Sequence, residues 1–546
     1  MLRVQTRSQF IRLFGYASLQ SCRSISRRPY SGGSPSWRQL IGTSDGEEDS
    51  LQTVPVHVER RDTRDATRVK SQGPNPPLRN KKAVKEAYIA LGSNVGHRVH
   101  NIESACRLMS ANGTVRVVDT GLLYETEPMY HLNQGTFINT VVIVQTELQP
   151  LELLHFLQSI EKRLGREKTI VNGPRSIDLD ILYYGGDTIY LPELQVPHPR
   201  ILERSFVLWP LRNLTGSSEY LPAPHHNVRW TQLDLEEVKM QKALVIPFGP
   251  NGLFLRPALS SSRASLMAIL NVTPDSFSDG GAHEGDGLLS LVANAASTST
   301  IIDVGGQSTR PGAEMICVQE ELDRVIPAIQ QIRKHPFLAP NLVISIDTFR
   351  ADVARAALNA GAHIVNDISG AYEEPSILEA VAQNGATIIL GHARGQVKTM
   401  HDPAIRAELG AEEVMNALQE RVTRAVGQHM FRWRIWVDPG FGFSKTKSSN
   451  LRLLRDMQKS YRVPDGDKSN SSQLSFLPWV AGFSRKAFIG STINVEEPNQ
   501  REMGNAVALA ATVMNGFDII RVHDPLAMKQ ALDMANALWR SEDCLR

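Results

Sequence analysis

At 546 residues, with 42% hydrophobic and 21% charged side chains, the chain exceeds one compact core, and roughly one domain per 150 residues suggests two to four. A formal net charge of +2 gives no global reason to expect nucleic acid or an anionic membrane as partner, and no apolar run reaches the roughly 18 residues of a membrane-spanning helix. Cys22, Cys106, Cys317 and Cys544 lack paired spacing, which argues against a disulfide framework and a zinc site and fits a reducing interior.

Residues 1–44 contain no Asp or Glu but carry Arg3, Arg7, Arg12, Arg23, Arg27, Arg28 and Arg38 among many serines. Phe10-Ile-Arg-Leu-Phe14 can form one face of a short basic amphipathic helix, the composition of an organellar transit peptide. Arg28-Pro-Tyr30 resembles the cleavage site of mitochondrial presequences, so the expected location is the mitochondrial matrix. Residues 45–84 are charged, proline-containing and aperiodic, as expected of a linker.

A first folded domain is expected over residues 85–235. Glu86–Leu91 reads as a strand ending in Gly92-Ser-Asn94, and Ile102, Ala105, Cys106 and Met109 recur at helical spacing. Two more strands are predicted around Val115–Tyr124 and Thr136–Gln145. Pro150 opens a helix with Leu154, Leu157, Ile160 and Leu164 on one face, ended by Gly165. In Ser176-Ile-Asp-Leu-Asp-Ile-Leu182 the apolar residues alternate with Asp178 and Asp180, so on a strand both carboxylates share a face. Paired carboxylates are hard oxygen ligands suited to Mg²⁺ that arrives with substrate phosphates. Arg175 upstream, with His198 and Arg204 downstream, adds donors for phosphate oxygens.

This domain resembles the 6-hydroxymethyl-7,8-dihydropterin pyrophosphokinase family through Ala90-Leu-Gly-Ser-Asn94, Tyr124-Glu-Thr-Glu-Pro128, Phe137-Ile-Asn139, Gly173-Pro-Arg-Ser-Ile-Asp-Leu-Asp180, Val196-Pro-His198 and Arg204-Ser-Phe206. The resemblance implies a ferredoxin-like α+β fold that transfers pyrophosphate from the co-substrate ATP to the pterin hydroxymethyl group. It implies that Asp178 and Asp180 hold Mg²⁺, and that Arg166, Arg175, His198 and Arg204 offset phosphate charge. Thr126, Phe137, Asn139 and Phe206 would then hold the pterin. Val171-Asn172 stand where many relatives have Arg-Trp.

Residues 236–263 read as linker and hairpin, with Pro250-Asn-Gly252 as the tight turn, placed as a lid on the N-terminal end of the domain that follows. Over residues 264–546, eight apolar runs each end in polar or ionisable residues: Leu266–Leu270 at Asn271, Thr300–Asp303 before Thr309-Arg310, Leu342–Ile346 at Asp347, and His363–Val365 at Asn366. The others are Thr387–Gly391 at His392, Arg434–Val437 at Asp438, Leu477–Val480 before Ser484-Arg-Lys486, and Asp518–Ile520 at Arg521-Val-His523. With helix-like stretches between them, this predicts a TIM (β/α)₈ barrel whose site lies at the C-terminal strand ends. Helix-to-strand connections fall on the opposite face, so the Pro464–Ser472 insertion is not expected to be catalytic.

The barrel resembles the dihydropteroate synthase family through Ile269-Leu-Asn-Val-Thr-Pro-Asp-Ser-Phe-Ser-Asp-Gly-Gly281, Asp303-Val-Gly-Gly-Gln-Ser-Thr-Arg-Pro-Gly312, Asp438-Pro-Gly-Phe-Gly-Phe443, Ser484-Arg-Lys486 and Arg521-Val-His523. The implied reaction joins p-aminobenzoate to the first domain's product and releases pyrophosphate. By resemblance Asp347, Asn366, Asp438 and Lys486 hold the pterin. Arg310, Arg521 and His523 bind pyrophosphate, with Asn271 as a Mg²⁺ ligand. Thr309, Pro311, Phe441 and Ser484 frame the p-aminobenzoate pocket. The family also implies a homo-oligomer through the barrel. Gln307 stands where many bacterial relatives have Glu. Two other readings fit some of the chain: a pterin-binding methyltransferase, and an active barrel whose first domain serves only folding or assembly.

Overall fold

The computed structural model describes residues 83–167, 170, 172–216, 218–222, 224–225, 227–233, 242–248, 254–255, 263–272, 284–310, 312–335, 338, 342–461 and 473–540. The expected transit peptide, nearly all of the linker, the Pro250-Asn-Gly252 turn, Pro311 and the 464–472 insertion lie outside them.

The first domain runs β1 (Lys85–Ser93), α1 (Arg98–Ser110), β2 (Val115–Thr120), β3 (Leu123–Thr126), β4 (Phe137–Thr146), α2 (Pro150–Arg163), β5 (Asp178–Tyr184), β6 (Ile189–Tyr190), β7 (Gln195–Val196) and α3 (Ser205–Thr215). Its antiparallel sheet has the order β5-β1-β4-β3, with β2 also on β4. The single strand expected over 115–124 is two strands, pairing successive stretches of β4. Gly121 lies at the break, and a side chain there would meet the Pro210 carbonyl of α3 at 2.7 Å. Proline at the start of α2 and Glu152, which accepts from the Gln149 amide at 2.7 Å, fix that helix's N-terminus. In the β1–β5 register Asp178 lies opposite Gly92 and Asp180 opposite Ala90, so the two carboxylates share a face.

The hairpin read from the sequence is not free-standing. Its first strand, β8 (Lys242–Pro247), pairs with β3 and extends the first sheet, and β9 (Phe254–Leu255) pairs with β8. It does reach the N-terminal end of the barrel. Thr387 and Arg434 donate to the Pro247 carbonyl at 3.4 and 3.3 Å, and the Phe248 ring packs on Trp436.

The barrel comprises β10 (Ser265–Asn271), α4 (Glu284–Ala296), β11 (Ile301–Gly305), α5 (Val318–Lys334), β12 (Val343–Asp347), α6 (Ala351–Ala360), β13 (Ile364–Asp367), α7 (Ile377–Asn384), β14 (Thr387–Gly391) and α8 (Ala411–Gly427). It continues with β15 (Ile435–Asp438), α9 (Lys447–Tyr461), β16 (Val480–Ala481), α10 (Ala487–Ile493), α11 (Glu502–Met514), β17 (Ile519–Val522) and α12 (Pro525–Trp539). The parallel order is β15-β14-β13-β12-β11-β10-β17-β16, and a lone bridge from Val437 to Trp479 joins its ends. The strands are mostly apolar because helices outside and packed side chains inside bury both their faces, with polar residues gathered toward their C-terminal ends.

Residues 80–546 form one compact unit. The two domains meet through the turn Arg432–Arg434, just before β15 at the barrel's N-terminal face. Arg432 donates to both carboxylate oxygens of Asp119, at 2.9 and 2.7 Å. Glu103 on α1 accepts from Trp433 Nε1 at 3.0 Å and Arg434 Nε at 2.9 Å, with Arg107 at 3.5 Å on its other oxygen. Burial pushes the Glu103 carboxyl up, but Arg434 and Arg107 outweigh it and hold the group below its usual range. Removing one partner from such a buried set strands the other charges. Glu103→Ala should therefore lower unfolding stability by roughly 3–5 kcal/mol, read from the shift in urea midpoint, and a loss below about 1 kcal/mol would show that the junction contributes little.

Candidate active sites

The first site is an open cavity where β1, β5, the end of β3, the start of β4 and the start of α3 converge. Asp178, Asp180, Arg175, Arg204, Thr126, Phe137, Asn139 and Phe206 all line it, so the structure gathers most of the residues singled out from sequence. Asp178 is gripped on both oxygens, by Arg166 at 2.6 Å and Arg175 at 2.7 Å. Arg166 also pairs with Glu161 and is absent from the cavity wall. Arg204 lies 3.6 Å from Asp180. Burial, and then the neighbouring Asp178, push Asp180 up to about 6 against the pull of Arg204, Arg166 and Arg175. Asn139 donates to Thr126 Oγ at 2.8 Å, which fixes its amide toward the cavity floor. The guanidinium of Arg175 lies 5.9 Å from the Phe137 ring and that of Arg204 lies 5.6 Å from Phe206, so each aromatic carries a cation beside it.

His198 departs from the expectation. Burial, followed by Arg204 and Arg200, pushes it down to about 4, and its Nδ1 accepts from the Arg200 amide at 3.1 Å. In the ligand-free protein it is therefore neutral at neutral pH and can donate a hydrogen bond. Two residues escaped the sequence reading. Asn94 ties three segments together: its Oδ1 accepts from Arg175 N at 2.8 Å, and its amide donates to Gln134 at 3.0 Å and the Gly135 carbonyl at 3.1 Å. The strand ending at Gly92-Ser-Asn94 was its signal. Tyr130, with Arg200 and Arg204 stacked at 5.3 and 5.9 Å, had none. Asn172 lines the cavity at φ 58°, a left-handed conformation that asparagine tolerates.

The second site sits at the C-terminal ends of the barrel strands. Arg521 on β17 donates to Asp303 at 2.6 Å and to Asp347 at 2.5 Å, and Asn366 donates to Asp303 at 2.9 Å. Asp303 thus belongs to the site although it was read only as one residue of a motif. Burial pushes Asp347 up to about 7, with Arg521 opposing and Asp303 adding to the rise. Burial also raises Asp438, against Lys486 and the Gly440 amide, which donates to it at 2.7 Å. Lys486 bonds the Phe441 carbonyl and places Nζ 3.6 Å from the Phe443 ring centre.

Phe441 is a correction. Its ring is fully buried against Phe483 and Phe517, so it cannot frame a substrate pocket, and it is the Phe443 ring that meets Lys486 Nζ. Ser484 Oγ lies 3.1 Å from Nδ1 of His523. Burial, then Arg521, Arg485, Arg310 and Lys486, push His523 down to about 3, so it too is neutral in the ligand-free protein. Arg310 is exposed, Thr309 accepts from His401 at 2.9 Å through its carbonyl, and Asn271 is exposed at the end of β10. Gln307 staples its loop: its amide donates to the carbonyls of Ser308 and Glu314, and its oxygen accepts from Ile316 N. Lys445, buried in the loop after β15, was not anticipated.

The fold and both sites define a two-domain pterin enzyme. Residues 88–216 match the family model described as 7,8-dihydro-6-hydroxymethylpterin-pyrophosphokinase, and residues 267–523 match that described as pterin binding enzyme. The chain is 37% identical over 471 residues to the mitochondrial folate synthesis bifunctional protein of Arabidopsis thaliana, covering 83% of each. It is 41% identical over 456 residues to the folic acid synthesis protein fol1 of Pneumocystis carinii, covering 83% of this chain but 60% of that longer one. A solved structure of Plasmodium falciparum HPPK-DHPS with pteroate superposes with a TM-score of 0.67 at 19% identity, over 85% of this chain and 97% of that one, a likeness of fold. This chain belongs to the family of bifunctional folate-synthesis proteins.

The state of Lys486 is directly measurable. Burial lowers it to about 7, against the opposing pull of Asp438, so the side chain is charged below that pH and neutral above it. An unfolded lysine keeps its proton to about pH 10.4, so this group's share of stability rises between about pH 7 and 10. In the ¹³C-dimethylated, ligand-free protein, one lysine resonance should titrate near pH 7 and vanish in Lys486→Arg. A wild-type spectrum without such a resonance would contradict the burial described.

Proposed function

We propose that this chain catalyses two consecutive steps of folate synthesis. Residues 85–235 transfer pyrophosphate from ATP to 6-hydroxymethyl-7,8-dihydropterin. Residues 264–546 condense the product with p-aminobenzoate, giving 7,8-dihydropteroate and pyrophosphate. The observation that carries the reading is the pairing of Asp178 and Asp180 on one face of β5 with Arg175, Arg204 and the Phe137–Asn139–Phe206 wall in a single cavity.

Asp178 and Asp180 would hold Mg²⁺. Among the described residues no cluster of three or more His, Cys, Asp or Glu is arranged to hold a metal, so the remaining ligands would be substrate and water oxygens, the usual manner for this ion. The rise of Asp180 beside Asp178 marks a carboxylate pair that a cation would relieve. When bound, the metal shields the phosphate charge. Arg175 and Arg204 draw the phosphates into line, and Arg166 orients Asp178. Thr126, Asn139, Phe137 and Phe206 fix the pterin, so that positioning and charge neutralisation supply the catalysis.

In the barrel, Asp347, Asn366, Asp438 and Lys486 bind the pterin edge, joined by Asp303. Loss of pyrophosphate from a carbon on an electron-rich ring needs neutralisation of the leaving group more than a strong base. Arg310 and Arg521 provide that charge, with His523 donating a hydrogen bond and Asn271 meeting the Mg²⁺ that accompanies the anion. Thr309, Ser484 and the Phe443 ring flank p-aminobenzoate. No nucleic acid or membrane enters this scheme. The acid-free residues 1–44 are assigned as a mitochondrial import signal, in keeping with plant relatives named mitochondrial.

Asp178→Asn or Asp180→Asn should lower ATP-dependent pyrophosphoryl transfer at least about 100-fold, roughly 2.7 kcal/mol at ~1.4 kcal/mol per decade. Dihydropteroate synthesis from ready-made pterin pyrophosphate should stay at wild-type rate. Transfer persisting near wild type would refute the assignment. The expected oligomer is supported by exposed apolar residues on the last two helices, Met503, Val507 and Met514 on α11 and Leu526, Met534 and Leu538 on α12. They would meet a second copy of the chain. Sedimentation should give a dimer that Val507→Glu with Met534→Glu converts to monomer, and a monomeric parent would sink the idea.

A further inference from the structure

Lys445 lies in the loop after β15, buried to 4% exposure. Its Nζ is 2.9 Å from Nδ1 of His392, 2.9 Å from the Gly440 carbonyl, and 3.2 Å from the carbonyls of both His392 and Phe443. None of these partners is a carboxylate. Burial holds its proton affinity well below the ordinary lysine range, and carrying a polar amine into this interior costs much more than burying a methionine of similar volume. Packing alone therefore gives no account of a lysine here.

Its partners come from two strand ends. His392 closes β14, whereas Gly440 and Phe443 belong to the loop after β15, and His392 N also donates to the Asp438 carbonyl at 2.9 Å. The loop doubles back tightly. Gly440 has φ 67°, and a side chain there would collide with the His392 carbonyl. Gly442 has φ 81°, and a Cβ there would sit 2.5 Å from Lys486 Cδ. Lys445 fastens the inner side of this loop, and Lys486 meets its outer side at the Phe441 carbonyl and the Phe443 ring.

We propose that Lys445 is a positioning residue for the condensation step, tying the ends of β14 and β15 together so that Asp438, the Phe441 carbonyl and the Phe443 ring are held against Lys486. The role rests on the synthase reading of the barrel.

The test uses the full chain and Lys445→Met. With ready-made pterin pyrophosphate, kcat/KM for p-aminobenzoate should fall about 30-fold, mostly through KM, while pyrophosphoryl transfer in the same molecule stays unchanged and reports intact folding. His392→Gln, which keeps the lysine, should give a smaller loss in the same direction. The double variant should be no more than about threefold worse than Lys445→Met, because both changes cut one linkage. Hydrogen exchange across 438–446 should speed up in Lys445→Met without any substrate present. Unchanged protection of that loop, retention of more than half of kcat/KM, or losses that multiply would each overturn the proposal. A wild-type chain with no synthase activity would instead defeat the functional reading, and the exchange experiment still judges the loop on its own. Should Lys445→Met not fold, His392→Gln carries the same comparison, and normal kinetics with normal exchange in it would equally overturn the proposal.

Discussion

The barrel mouth depends on one guanidinium. Arg521 bonds Asp303 and Asp347 at once, and without it two buried carboxylates would face each other in a medium that screens charge poorly. Their mutual repulsion and burial show in the raised proton affinity of Asp347. Asn366 takes its place from the same Asp303 oxygen, so three strand ends are registered by one shared acceptor.

A second buried carboxylate does comparable work at the opposite end of the barrel. Glu103 collects Trp433, Arg434 and Arg107, and β8 extends the first sheet onto the same face. The junction thus uses the end of the barrel that chemistry leaves free, since function in such barrels gathers at the C-terminal strand ends. Joining two domains there ties them firmly without placing any junction residue in the substrate pocket of the barrel.

Much of this was legible in the sequence because parallel strands buried on both faces write continuous apolar runs, and their last residue must be polar to face the mouth. Asp178 and Asp180 were legible for a simpler reason, the two-residue period of a strand. The failures have physical causes too. Phe441 and Phe443 have the same spacing as two residues on one face of a strand, but Gly440 and Gly442 turn the chain through left-handed conformations, so alternation does not apply. The division of 115–124 falls at Gly121, which lies against Pro210, a residue remote in sequence. The pairing of β8 with β3 is likewise a long-range event that local pattern does not encode. The neutrality of His198 and His523 depends on burial and on arginines gathered from other segments, and no motif carries that information.

The lone bridge between Val437 and Trp479 gives the barrel a seam. Most neighbouring strands share ladders of three or more residues, whereas β16 has only two residues, pairs with β17 over both and meets β15 at this bridge. Where backbone pairing is this sparse, closure rests on packing, and Val437, Trp479 and Val480 are all buried there. The chain leaving one side of the seam carries Asp438, and the chain leaving the other carries Ser484 and Lys486. The two flanks of the mouth that carry Asp438 and Lys486, both assigned to the pterin, are therefore held together by side-chain packing more than by a backbone ladder.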